Sequence, residues 1–204
     1  MSTPHTAEQA LDVLRRGNLQ FVQAIADDAA LVSHVSKSKM SGAQIPFAAV
    51  LGCADSRVPA ELIFNQAFGD LFVVRVAGNV ATPTQIASLE FTCVKFGTPL
   101  ILVLGHTQCG AVQATLEHIA TGEPAASPAL NELVNTIKPA VEAAVKITES
   151  PDEQIHHASQ ANIRATVAAL TENSTVLQER VSAGALSIVG AEYDIASGAV
   201  EFFD

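Results

Sequence analysis

Residues 46–57 read PFAAVLGCADSR, and residues 100–110 read LILVLGHTQCG. These two stretches decide the fold. Each opens with an unbroken apolar run of strand length, Pro46 to Gly52 and Leu100 to Gly105, and each run stops at glycine. A run apolar at every position, without alternation, is the pattern of a strand buried on both faces. Between them, Leu71 to Ala77 (LFVVRVA) is a second strand, which makes Leu100 to Gly105 the third. Helical patterns lie between them. Pro59 opens PAELIFN in a first-turn position. Thr84 to Phe96 puts Ile86, Leu89, Cys93 and Phe96 on one face, and another helix runs from Gly110 to about residue 120. Strand and helix repeated three times predict an α/β protein: a central, mainly parallel β-sheet flanked by helices.

Toward the N-terminus, Thr6-Ala7-Glu8-Gln9 fits a capping box, and Leu11, Leu14, Val22 and Ile25 follow at near-helical spacing. Gly17-Asn18 interrupts that spacing, so one kinked helix or two are expected, in an arm suited to packing on a partner subunit. Beyond the third strand, residues 121–129 read as a loop by their Gly and Pro content. Helices follow at roughly 130–148 and 152–172, then a short one near 175–183 before Gly184. Leu186 to Gly190 and Val200 to Phe203 flank a hairpin-like turn at 194–198, which makes a C-terminal strand extension. The expected organisation is one domain over 1–204. It comprises a helical arm at about 6–40, a core at about 44–120, and C-terminal helices and strands at about 129–204.

The 204 residues are 49% hydrophobic, which excludes a disordered or fibrous chain. Only 16% are charged, against an average of roughly 25%, which points to a large subunit interface. The net charge of −10 repels phosphate backbones and anionic membranes, so neither nucleic acid nor a membrane is an expected partner. No apolar run approaches the ~18 residues of a membrane span. The N-terminus shows no signal-peptide pattern, and three cysteines do not make a disulfide framework. The chain reads as cytoplasmic.

In parallel sheets, ligands bind beyond the carboxyl ends of the strands. Cys53 follows the first strand directly, and His106 follows the third. Cys109 lies three positions past His106, where the next helix starts. Two thiolates and an imidazole suit Zn²⁺, and three protein ligands leave an open fourth position. Zinc lowers the pKa of bound water toward ~7, so hydroxide is available at neutral pH. Asp55 could orient that water or take the fourth position itself. Arg57 can clamp Asp55 by a bidentate ion pair and hold it off the ion. Other readings stay open. Buried cysteines are usually inert core, and Cys93 could complete a closed Cys₃His structural site, although it falls mid-helix on an apolar face. His5, His34, His118, His156 and His157 show no partner pattern; His118 reads as a helix-surface residue and His156-His157 as a solvated pair.

CADSRVPAE (Cys53–Glu61), FVVRVAGN (Phe72–Asn79) and GHTQCGAV (Gly105–Val112), in that order and at that separation, resemble the β-class carbonic anhydrases. The resemblance implies one zinc per subunit on Cys53, His106 and Cys109, with Asp55 and Arg57 as a catalytic dyad. It implies reversible hydration of CO2 to bicarbonate by zinc-bound hydroxide. Asp55 is then a conditional fourth ligand in a state closed at low pH. The resemblance also implies a homodimer or homotetramer that exchanges N-terminal helices and shares its active sites. Members with an allosteric bicarbonate pocket carry Trp three residues before the first cysteine, where this chain has Val50. The branch without that pocket has Gln at the position of Gln44. By the same carry-over, Phe72 and Phe91 resemble the wall of the CO2 pocket, and the Gly110 N–H is offered to a substrate oxygen. The family usually has Tyr at the position of Phe91. Three rivals remain: CS2 or COS hydrolysis on the same scaffold, a structural zinc protein or metal-dependent interaction module, and thiol-redox chemistry, which the absence of C-x-x-C spacing disfavours.

Overall fold

Three strands carry the sheet's parallel core: β1 (Ala48–Gly52), β2 (Leu71–Arg75) and β3 (Leu100–His106). They come from a computed structural model that describes residues 5–27, 44–145 and 150–203. With β4 (Ser187–Tyr193) and β5 (Val200–Phe202) the order is β2-β1-β3-β4-β5. All neighbours are parallel except the β4–β5 hairpin. Every residue of β1 and β3 is buried, as their unbroken apolar runs require. The first strand begins at Ala48 rather than Pro46. Proline has no N–H to give a ladder, and the Phe47 N–H instead meets the Asp70 carbonyl at 3.0 Å. The second strand stops at Arg75, and Ala77–Asn79 form a 3-10 turn. The fourth runs on past Gly190 to Tyr193, because it pairs with β3 as far as His106.

The helices are α1 (Ala7–Ala26), α2 (Ala60–Ile63), α3 (Pro83–Phe96), α4 (Gly110–Thr121), α5 (Pro128–Val145), α6 (Pro151–Glu172) and α7 (Thr175–Ser182). The capping box at Thr6 forms. The expected break at Gly17-Asn18 does not: α1 is continuous. Glycine there permits close approach, since a Cβ on Gly17 would lie 1.8 Å from the Phe64 carbonyl oxygen. The Asn18 amide donates to the carbonyls of Ile63 at 3.3 Å and Gly198 at 2.8 Å, and its oxygen accepts from the Val200 N–H at 2.9 Å. Both residues are contacts with the body of the protein, spaced like a helix breaker. The buried face of α1, with Leu14 and Phe21, packs on this chain's own sheet, while Leu19 and Ile25 point outward and are exposed. Residues 28–40 of the arm and the 146–148 end of the expected helix lie outside the described residues.

Side chains from the two sheet faces form two cores. Val50, Leu102 and Leu104 pack with α1 and α2, and Leu51, Ile101 and Val103 pack with α3 and α6. The expected α3 face appears, with Ile86, Leu89 and Cys93 buried and Phe96 half-buried. At the sheet's C-terminal edge a third apolar cluster gathers Cys53, Cys109, Val80, Val112 and Ile137.

Candidate metal centre

The register β1 Gly52 opposite β3 Leu104 places Cys53 beside the end of β3. His106 is the last residue of β3, and Cys109 caps the start of α4. Sequence distance thus becomes a cluster: one donor atom from each of Cys53, His106 and Cys109 lies within 4.8 Å of the others, and all three residues are buried. The His106 Nδ1–H donates to the Thr107 carbonyl at 2.8 Å, which leaves Nε2 as the bare ring nitrogen. That Nε2 is fully buried and has no hydrogen-bond partner. A buried nitrogen lone pair without a partner is costly unless a cation meets it. Two sulfurs within 4.8 Å complete a donor set that fits zinc.

Backbone donors prepare both sulfurs. The N–H groups of Asp55 and Gly78 point at Cys53, and those of Ala111 and Val112, in the first turn of α4, point at Cys109. The Cys109 S–H donating to Cys53 lowers the Cys53 thiol to about 4 against the opposing effect of burial. The same bond, with burial, pushes the Cys109 thiol up. Burial opposes a charged His106 ring, yet the neighbouring Cys53 sulfur outweighs it and raises the imidazole. Gly78 earns its glycine: φ is +67°, and a Cβ would lie 2.7 Å from Ile137 Cδ1. The Asn162 amide pins its carbonyl at 2.8 Å.

Asp55 stands beside the cluster, with Oδ2 4.0 Å from His106 Nε2. Arg57 holds it bidentately, Nε to Oδ1 at 2.9 Å and the second guanidinium nitrogen to Oδ2 at 2.8 Å. The Arg57 hydrogen bonds keep the Asp55 carboxyl well below the usual carboxylate range, so it stays ionised. Sequence reasoning missed Arg75. Its Nε donates to the Cys53 carbonyl at 2.9 Å, and its terminal nitrogen donates to the Asp55 carbonyl. A charged residue closing an apolar strand was the available signal, but only the pairing of Arg75 with Gly52 shows what it meets.

A cavity of about 720 Å³ extends between α4 and the start of α5, and one end of it is walled by Ala77, Gly110 and Ala111, the latter two following Cys109 directly in the chain. Gly110 has open space where a Cβ would stand. The structure does not bring Gln44, Phe72 or Phe91 to this cluster. Phe72 pairs with Ala49, four residues before Cys53, or about 13 Å along the strand. Its ring lies 6.2 Å from that of Phe91 on α3, which is 52% exposed. Gln44 is exposed beside Gly69, in the segment leading to the first strand. Cys93 is not a fourth ligand, since it lies in the α3–α6 core with Leu89 and Leu170. His156 is not merely solvated: its Nδ1 lies 3.3 Å from Oε2 of Glu192, a carboxylate only 4% exposed. His34 lies outside the described residues.

A parallel sheet with an open Cys₂His donor set and an arginine-clamped aspartate at its C-terminal edge defines a class of metalloprotein. Comparison with known proteins gives the family. The carbonic anhydrase family model matches residues 48–200. A carbonic anhydrase of Mycolicibacterium smegmatis is 37% identical over 94% of this chain and 91% of its own. A protein named carbonic anhydrase 2 of Mycobacterium tuberculosis is 36% identical over 93% and 89%. Among solved structures, a Coccomyxa β-carbonic anhydrase in complex with acetazolamide superposes with a TM-score of 0.74 at 28% identity, covering 91% of this chain and 84% of that one. The chain belongs to the β-class carbonic anhydrases. Among the described residues no helix is long and apolar enough to cross a membrane.

Proposed function

We propose that this protein catalyses the reversible hydration of CO2 to bicarbonate and a proton, with one zinc ion per chain held by Cys53, His106 and Cys109. The observation that carries this reading is the unpartnered, buried His106 Nε2 facing two sulfurs, with Asp55 clamped 4.0 Å away. Zinc held there supplies a Lewis acid that makes water a competent nucleophile near neutral pH. The chain's own residues do the rest. Asp55, kept ionised by Arg57, accepts a hydrogen from the attacking water and aims its lone pair at the carbon. Arg57 and Arg75 hold the Cys53–Arg57 turn, from the guanidinium side and the backbone side. Gly110 lines the cavity in the first turn of α4, and its N–H is the proposed donor to the oxygen that gains charge. The apolar cavity walls suit CO2, which has no net charge to pair. If protonation of a group outside the dyad at low pH frees Asp55 from Arg57, its carboxylate is near enough to serve as a fourth zinc ligand and close the site.

Gln44, Phe72 and Phe91 lie far from their own cluster, so a second copy is proposed to bring them to it in a homodimer or homotetramer. The edge position of β2 and the exposed Phe91 and Val94 support such an interface. Three free cysteines suit a reducing compartment, and the cytoplasm is the proposed location. Stopped-flow hydration assays on the zinc-loaded protein, run beside COS and CS2 hydrolysis, test the reading. CO2 turnover with little action on COS or CS2 is expected. A zinc-replete protein inert toward CO2 would overturn it.

A further inference from the structure

Hydration releases one proton for each bicarbonate formed, and that proton must leave the site before the next turn. None of Asp55, Arg57 and Gly110 can carry it away: Asp55 is locked to Arg57, Arg57 is already protonated, and Gly110 has no side chain. The cavity between α4 and α5 does contain a base. At one end it is walled by Ala77 and Gly110, and along α4 it reaches His118. Eight helical residues separate Gly110 from His118, about 12 Å of rise. A file of three or four waters, each ~2.8 Å from the next, spans that gap.

We propose that His118 is the proton relay of this active site. The inference rests on the CO2-hydration reading above. The imidazole is already oriented for the task, because Nδ1 lies 2.7 Å from the Glu123 carbonyl. A carbonyl only accepts, so Nδ1 carries the hydrogen and Nε2 is left as the base. A proton leaving the attacking water passes along the water file to Nε2, giving imidazolium. The same proton then goes to a buffer base outside, and neutral His118 is restored. Each transfer makes one bond to hydrogen and breaks one, and no other reactant is required.

The titratable groups in the cavity wall besides His118 are two carboxylates, Glu117 and Glu123. Glu117 accepts from the Gln113 amide at 3.1 Å. From α5 the wall receives only Leu130, Leu133 and Val134, which keep the file from branching into polar side chains. No other described histidine is so placed. His156 is turned to Glu192 on β4, and neither residue lines this cavity.

The test compares the zinc-loaded full-length protein with His118→Ala and His118→Gln. In dilute, bulky buffer kcat should fall about tenfold, less than the ~100-fold that a directly acting acid–base group supplies, because bare water still relays slowly. The ratio kcat/KM should hold, since it ends at bicarbonate release. Added imidazole should restore kcat in both variants. Independently of turnover, long-range proton–nitrogen NMR of the ring should show the Nδ1–H tautomer. Unchanged kcat in dilute buffer, or an Nε2–H tautomer, overturns the relay. Loss of kcat/KM in wild type and variants alike overturns the hydration reading instead.

Discussion

Arg57 and Asp55 form a closed ring of contacts two residues apart. The Arg57 backbone N–H and side-chain Nε both meet Oδ1 at 2.9 Å, and a second guanidinium nitrogen meets Oδ2 at 2.8 Å. Three of the carboxylate's roughly four lone-pair sites are thereby taken by one residue, which fixes its orientation. A lysine would keep the charge but lose the fork. Arg57→Lys is expected to lower kcat/KM by about 100-fold, the scale of a misplaced orienting group, while zinc content stays at one per chain. Elemental analysis beside stopped-flow assays checks this. Near-normal kcat/KM would remove the clamp from the mechanism.

Core packing separates the cysteines' roles: Cys93 lies between α3 and α6, and Cys53 and Cys109 lie in the cluster beyond the strand ends. Cys109→Ser should abolish zinc retention after dialysis, because it removes one of three donors. Cys93→Ser should retain zinc fully and lower stability by about 1–2 kcal/mol, since it sets a hydroxyl in an apolar core. X-ray absorption should count two sulfurs on the metal in wild type. A third sulfur, or zinc loss in Cys93→Ser, would restore the closed structural site.

Gly17 and Asn18 dock the N-terminal helix. A methyl at Gly17 meets the backbone at Phe64, which cannot rotate away, so the helix must lift. Gly17→Ala should cost about 3 kcal/mol, at the top of the usual overpacking range. Asn18→Ala should cost about 1–3 kcal/mol by leaving buried backbone groups unpaired. Denaturant unfolding measures both. A Gly17→Ala protein as stable as wild type would mean that α1 does not sit as described.

Glu192 is the source of a pH effect remote from the metal. Burial raises its carboxyl, against the opposing influence of His156 and Gln160, and its Oε1 has no partner. A carboxyl raised in the folded state binds more protons there than in the unfolded chain. Its contribution is therefore neutral below the unfolded value and becomes unfavourable as pH rises through the folded one. Glu192→Gln should stabilise the protein at neutral pH, and the gain should fade on acidification toward the ordinary glutamate range. Thermal unfolding across pH checks the sign. A uniform gain at every pH would rule out ionisation as the cause.

Much was legible along the chain because it is local. Strand identity follows from apolar runs such as Leu100–Gly105, and a residue directly after such a run must stand at the sheet edge. Cys53, His106 and Cys109 could be read as neighbours on that basis, and the turn from Asp55 to Arg57 is short enough to predict the clamp. Gly17-Asn18 misled for the same reason: its pattern is that of a break, and its partners at Phe64, Gly198 and Val200 are far along the chain.

Sequence alone settled which segments lie inside, which ends face the site, and which donors a metal would find there, since burial and chain order require no partner to be read. The tertiary structure decided the rest. Strand register put Arg75 under Cys53, core packing took Cys93 away from the metal, and the approach of α5 to α4 shaped a cavity with His118 in its wall. Gln44, Phe72 and Phe91 were placed far from their own cluster by the same register. Each of these depends on contacts between residues distant in sequence, whose pairing is set by how faces fit rather than by any pattern a single segment carries.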